Sequence, residues 1–233
     1  MYKRVLLKLS GEALAGDDKL GFDQEMIDNV CQSIRALHGK GVEVGIVIGG
    51  GNFWRGKYGK GMIPGTAHQM GMLATIMNSL ALQDALERIG IPTEVQSALE
   101  IQGIAEQFSE RKTREYLNQS KVVIFAGGTG STFFSTDTAA ALRAIQINAD
   151  CILVAKTVDG VYSADPKQDK NAKKYEKITF DEVLENDLKV MDAAAIALCR
   201  EHHIPLHVFA MANTENIIKV AMGDTSIGTI VNN

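Results

Sequence analysis

Val5-Leu6-Leu7 runs into Lys8-Leu9-Ser10-Gly11-Glu12, a buried strand that ends on a lysine beside a glycine turn. An ammonium at the carboxyl end of a β-strand, next to backbone N–H groups freed by a glycine, is a site for an anion. Other strand ends repeat the signature. Val42 to Ile48 ends in Gly49-Gly50-Gly51-Asn52, with Arg55 four residues beyond Gly51 as a fork-shaped phosphate partner. Val122 to Ala126 ends in Gly127-Gly128-Thr129-Gly130, and Ser135 or Thr136 can cap the next helix, whose amino end then points a positive dipole into the loop. Cys151 to Ala155 ends in Lys156-Thr157. Lysines, an arginine and bare amides at neighbouring strand ends suit two phosphorylated ligands meeting end to end.

Two familiar phosphate motifs are excluded. Gly51 to Lys57 matches the first positions of a P-loop, but Tyr58 stands where Ser or Thr would hold magnesium, and Gly59, Gly61, Pro64 and Gly65 cannot open a helix there. Gly128 to Phe133 is not G-x-G-x-x-G, because Phe133 takes the place of the third glycine. Farther on, Asp159-Gly160 between β-branched residues predicts a hairpin that lifts Tyr162 and Asp165 above the sheet edge, where a ring and a carboxylate hold a base and a ribose.

The elements that must position these residues alternate along the whole chain. Strands are expected at Arg4 to Leu9, Val42 to Ile48, Thr93 to Gln96, Val122 to Ala126, Cys151 to Ala155, Leu206 to Phe209 and Thr229 to Val231. Helices are expected at Asp23 to His38, Ala67 to Ile89, Gly103 to Leu117, Thr136 to Ile147, Met191 to His202 and Thr214 to Ala221. Continuous apolar strands such as Val122-Val123-Ile124-Phe125 belong to parallel sheets covered on both faces. The expectation is α/β: a three-layer α/β/α sandwich with a mainly parallel central sheet, one domain over residues 1–233. In the second helix, Met70, Met72, Leu73, Ile76, Met77, Leu80 and Leu82 put apolar residues on more than one face, which predicts burial against a partner subunit.

Net charge is −4 and the pI near 5.8, so no nucleic acid is expected as partner and any anion must be gripped locally. Cys31, Cys151 and Cys199 are odd in number and far apart, reading as reduced core residues of a cytoplasmic protein. No membrane span and no signal peptide are expected, because Lys8 breaks the first apolar run.

Lys8-Leu9-Ser10-Gly11-Glu12, Gly49-Gly50-Gly51-Asn52 with Arg55-Gly56, Met70-Gly71-Met72-Leu73-Ala74-Thr75, Phe134-Ser135-Thr136-Asp137, Val158-Asp159-Gly160-Val161-Tyr162 with Ala164-Asp165-Pro166, and Leu188-Lys189-Val190-Met191-Asp192 together resemble the bacterial uridylate kinases of the amino acid kinase superfamily. The resemblance covers essentially the whole chain in order. It implies transfer of the ATP γ-phosphoryl group to UMP, giving UDP for pyrimidine (CTP) biosynthesis, with Mg2+ accompanying ATP and no dedicated metal ligands. It implies a homohexamer, with GTP and UTP as effectors. By resemblance, Lys8, Arg55, Asp137 and Asp192 are catalytic, the two aspartates orienting the lysines or the metal. ATP falls to Lys8, Leu9, Ser10, Gly11, Gly51, Arg55, Lys156, Thr157, Tyr162 and Asp165. UMP falls to Gly50, His68, Thr129, Gly130, Ser131, Thr132, Phe133, Phe134, Ser135 and Thr136. Gly16, Asp17, Asp18, Lys19, Leu20 and Gly21 match the region associated with effector binding. Two positions depart from the family pattern: His68 replaces the usual Asp, and Ser131-Thr132 replaces Asn-Pro. A kinase of the same superfamily acting on a carboxylate or carbamate, and a non-catalytic nucleotide-binding protein, are the competing readings.

Overall fold

The computed structural model of the chain describes residues 1–16, 20–54, 59, 61–166 and 168–233. Among these, the strands are β1 (Arg4–Leu9), β2 (Glu43–Ile48), β3 (Thr93–Ser97), β4 (Glu106–Gln107), β5 (Val122–Ala126), β6 (Cys151–Lys156), β7 (Lys177–Thr179), β8 (Leu206–Ala210) and β9 (Thr229–Asn232). They form one nine-stranded sheet in the order β4-β3-β5-β2-β1-β6-β8-β9-β7. From β4 to β8 every pairing is parallel; β9 lies antiparallel to β8, and β7 parallel to β9. The α-helices are α1 (Gln24–Gly39), α2 (Pro64–Arg88), α3 (Glu110–Asn118), α4 (Thr136–Ile147), α5 (Phe180–Glu185), α6 (Ala193–Glu201) and α7 (Glu215–Ala221).

The apolar strands are sandwiched as their continuous runs require. One core layer joins α1, α2 and α7 to Val5, Leu7, Leu9, Ile46, Ile48 and Ile124. The other joins α3, α4, α5 and α6 to Leu6, Val47, Val123, Phe125, Ile152 and Val154. Because strand side chains alternate, Lys8 shares the face of Leu6 and points toward the layer that contains α4. Cys31, Cys151 and Cys199 are buried, and desolvation pushes each thiol up to about 12, so none is a thiolate near neutral pH.

Four expectations are corrected. Pro64 and Gly65, read as unable to open a helix, are the first two residues of α2, since proline at the first helical position lacks only an N–H that the helix leaves unpaired anyway. The helix expected from Gly103 begins at Glu110, because Glu106–Gln107 pairs with β3 and Ser109 caps the helix through Lys112 N–H. Asp159-Gly160 is not a hairpin turn. The chain bends there without strand pairing, and an antiparallel bridge instead joins Tyr162 to Lys174 across a longer loop. β7 and α5 are absent from the expected strands and helices; α5 starts from a full capping box between Thr179 and Glu182.

Candidate active site

β5, β2, β1 and β6 are adjacent and parallel, so their carboxyl ends share one sheet edge. The glycine loops after β2 and β5 and the lysines of β1 and β6 therefore converge. Lys8 Nζ lies 2.7 Å from Asp137 Oδ1, in the first turn of α4. Lys156, the last residue of β6, donates to the Lys189 carbonyl at 3.0 Å. Desolvation pushes its ammonium below the ordinary lysine range, with Asp137 opposing and Lys8 reinforcing that shift. Two cations thus flank one carboxylate at the sheet edge, a net positive centre for a polyanion.

Two cavities border this centre, one lined by Thr136 next to Asp137 and the other by Lys156. The first, about 380 Å³, is lined by Gly50, Trp54, Ala67, His68, Gly71, Met72, Thr75, Gly128, Thr129, Phe133, Phe134, Ser135 and Thr136. It contains the residues assigned to UMP except Gly130, Ser131 and Thr132, which form the turn beyond its wall. Gly130 packs instead against Ala98, and Thr129 and Ser131 close that turn by mutual hydrogen bonds. His68 lies against the Phe133 ring, centroids 5.0 Å apart, and Phe133 holds this position with φ of +70°, a strained backbone for a bulky residue. The second cavity, about 450 Å³, is lined by Lys156, Thr157, Tyr162 and Asp165, four of the residues matched to ATP by resemblance, together with Asn186, Asp187, Leu188 and Lys189 from the segment between α5 and α6. Both volumes fall in the range of nucleotide-sized pockets.

Local folding explains how the pieces are held. Ser135 caps α4 by accepting from Asp137 N–H and Thr138 N–H, so the positive end of α4 faces the first cavity. Asp192 caps α6 through Ala195 N–H at 2.7 Å, and it also accepts from the hydroxyls of Ser135 and, at 2.8 Å, Thr138. Burial opposes its charge, but these bonds outweigh burial and hold the carboxyl below its usual range. Asp192 therefore grips two helix ends rather than a lysine. Leu9 turns its side chain into the core and gives its carbonyl to Gly49 N–H, leaving no side-chain contact for ATP. Ser10 stands at the N-cap position of the short 3-10 turn that contains Gly11, with its backbone carbonyl, not its side chain, accepting from Ala13 N–H. Gly51 packs against the Glu12 side chain, beside that turn.

Among residues matched to the effector region, Gly16 and Gly21 adopt left-handed conformations, Leu20 is exposed, and Gly21 exchanges hydrogen bonds with Asn52. None of these three lines either cavity. Asp17, Asp18, Lys19 and Arg55 lie outside the described residues. Sequence reasoning missed Asp159, which accepts from the Tyr162 hydroxyl at 2.7 Å and from Lys174 at 3.0 Å at the rim of the second cavity. It also missed Thr75 and Trp54 in the first; the Trp54 indole donates to the Ala67 carbonyl at 2.9 Å.

The chain matches the model of the amino acid kinase family over residues 3–210. It superposes on the UMP kinase from Bacillus anthracis with a TM-score of 0.96 and 37% identity, covering 99% of this chain and 96% of that one. The UMP kinase from Ureaplasma parvum gives 0.94 and 39%, covering 100% of both chains. The uridylate kinase from Archaeoglobus fulgidus gives 0.75 and 28%, covering 97% and 99%. Matched at this length and identity, with its strand-end lysines and glycine loops in place, the chain belongs to the amino acid kinase family, in its UMP kinase branch.

Proposed function

We propose that the chain transfers the γ-phosphoryl group of ATP to UMP, giving ADP and UDP for pyrimidine (CTP) biosynthesis. The observation that carries this reading is the Lys8–Asp137–Lys156 group bordered by two nucleotide-sized cavities. The acceptor is a phosphate monoester, already anionic near neutral pH, so no general base is required. What remains is to bring two polyanions together and to neutralise charge on the transferred group, which positioning and electrostatics supply. Lys8, held by Asp137, and Lys156, held by the Lys189 carbonyl, face the transferring phosphoryl. Gly11 and Gly51 amides, with Arg55 by family resemblance, cradle the ATP phosphates. The capped end of α4 and the loop at Gly128 and Thr129 receive the UMP phosphate. One such preorganised donor is worth about 3–4 kcal/mol of transition-state stabilisation.

Magnesium would accompany ATP and, when bound, would supply positive charge that offsets the phosphates. Asp137, the carboxylate beside Lys8, is the described side chain that would face it. Family resemblance supports a cytoplasmic homohexamer of single-domain chains, regulated by GTP and UTP through the segment 16–21.

A coupled ADP-release assay with UMP, CMP and dTMP tests the reading. The expected result is preference for UMP, turnover of about 1–100 s⁻¹ and loss of activity with a chelator. Equal rates with CMP, or chelator-resistant turnover, overturn it.

A further inference from the structure

Helix α2 carries polar side chains where a core helix usually carries none. Thr75, Asn78 and Ser79 are buried, and a buried polar group is costly unless every hydrogen bond is made. Ser79 stays within the helix, donating to the Thr75 carbonyl at 2.8 Å. The other two reach outward to different loops. The Thr75 hydroxyl gives its proton to the Met72 carbonyl at 2.6 Å and accepts from Gly127 N–H at 2.9 Å. Three residues on, and so on the same helix face, Asn78 Nδ2 donates to the Gly49 carbonyl at 2.6 Å and to Asn52 Oδ1 at 2.8 Å. Asn52 returns the bond, its Nδ2 donating to Asn78 Oδ1 at 2.9 Å and to the Gly21 carbonyl at 2.8 Å. All the amide N–H groups of the pair are spent, a pattern that two carboxamides satisfy and a carboxylate in either place does not.

One turn of a long helix thus holds both glycine loops. Gly127 begins the loop after β5 with φ of +74°. Gly49 begins the loop after β2, and the Lys8 turn rests directly upon it: a Cβ on Gly11 would collide with the Gly49 carbonyl and come within 2.6 Å of Asn52 Oδ1. We infer that Thr75 and Asn78 are positioning residues that set the spacing between the two phosphate-facing loops. Thr75 sets the acceptor loop, and Asn78 sets the loop against which the Lys8 turn is built. Thr75 borders the first cavity, but its proton is already committed to Met72 and its oxygen to Gly127. The inference rests on the ATP and UMP assignments proposed above.

The test is steady-state kinetics with each substrate varied separately, beside hydrogen exchange of the Gly127 amide followed by NMR. Thr75→Val should raise the UMP KM about tenfold while moving the ATP KM less than about twofold, the loss expected for one orphaned N–H that acts on one side of the site. It should also strip protection from the Gly127 amide, and Thr75→Ser should restore both. Asn78→Asp sets a carboxylate against the Gly49 carbonyl and should raise the ATP KM more than the UMP KM. Equal rises in both KM values in Thr75→Val and Asn78→Asp, or a lower Tm with both KM values unmoved, overturn the inference. Should Asn78→Asp fail to fold, the Thr75 pair decides alone. If wild type fails to phosphorylate UMP, the functional reading fails first. Gly127 exchange still decides the pin, because unchanged protection in Thr75→Val overturns it.

Discussion

Lys8 lies one residue before the end of β1, with its ammonium 2.7 Å from Asp137 and little access to water. A lysine fixed in this way spends no entropy on ordering itself as charge builds on the transferred group. Lys8→Ala should therefore lower kcat by about 10²-fold or more while circular dichroism stays that of wild type. Wild-type kcat in this variant would reduce Lys8 to a packing residue. This lysine was legible because an ammonium that closes an apolar strand beside a glycine needs an anion to offset its burial. The role of Asp192 was not. The motif suggested a lysine or metal partner, and the partners are hydroxyls 54 and 57 residues away in sequence, which only the packing of α4 on α6 brings near. Arg143 was missed entirely. In sequence it is one more charged residue on a helix. In the fold it is buried, its guanidinium 3.7 Å from the centre of the Phe108 ring, its Nε unpartnered, and its pKa pushed down to about 10 by desolvation.

At the scale of elements, the amino ends of α4 and α6 meet on Asp192. Removing that carboxylate leaves one helix uncapped and the Ser135 and Thr138 hydroxyls without their acceptor. Asp192→Ala should cost about 1–3 kcal/mol of stability, the sum of a lost cap and orphaned partners. A depressed carboxyl pKa contributes stability that is present above the ordinary Asp range and is lost as pH falls through the folded value. Urea melts at neutral and acid pH should therefore show wild type losing its advantage over the variant on acidification; a constant difference would assign the effect to packing alone. The strands were read nearly to the residue, because apolar runs between glycines leave little freedom. α3 was placed too early because the 103–109 segment has helical spacing, and pairing with β3 outweighs local preference there. β7 was hidden because its short, polar run gains its identity only from β9, which lies far along the chain.

For the molecule as a whole, the face of α2 turned away from the core carries Leu73 at 50% and Met77 at 47% exposure, with Ile63 at 75% beside its start. Leu73 and Met77 are one turn apart and form a stripe, as the all-round apolar pattern of this helix suggested. With the family resemblance, this supports self-association, and sedimentation at micromolar concentration should give a species several times 25.2 kDa. A monomer would remove the partner-subunit account of that face. What sequence alone did not provide was which residues of the stripe stay outside, since that depends on how α2 rolls against β3 and β5.

The strand order also governs how the chain is made. β1 precedes every other strand, yet it is central in the sheet, and one of its two neighbours is β6. Arg4 N–H waits for Asp150, 146 residues later, before its hydrogen bond closes. Until then the earliest strand keeps an open edge, the state most prone to pair with another nascent chain, and non-local pairing of this kind slows folding. The carboxylate that Lys8 pairs with in the fold, Asp137, is also synthesised long after it. The proposed catalytic centre thus begins with the first strand and closes only with the sixth, so a ribosome that stops short of β6 releases a chain with its reactive lysine made and its sheet unclosed.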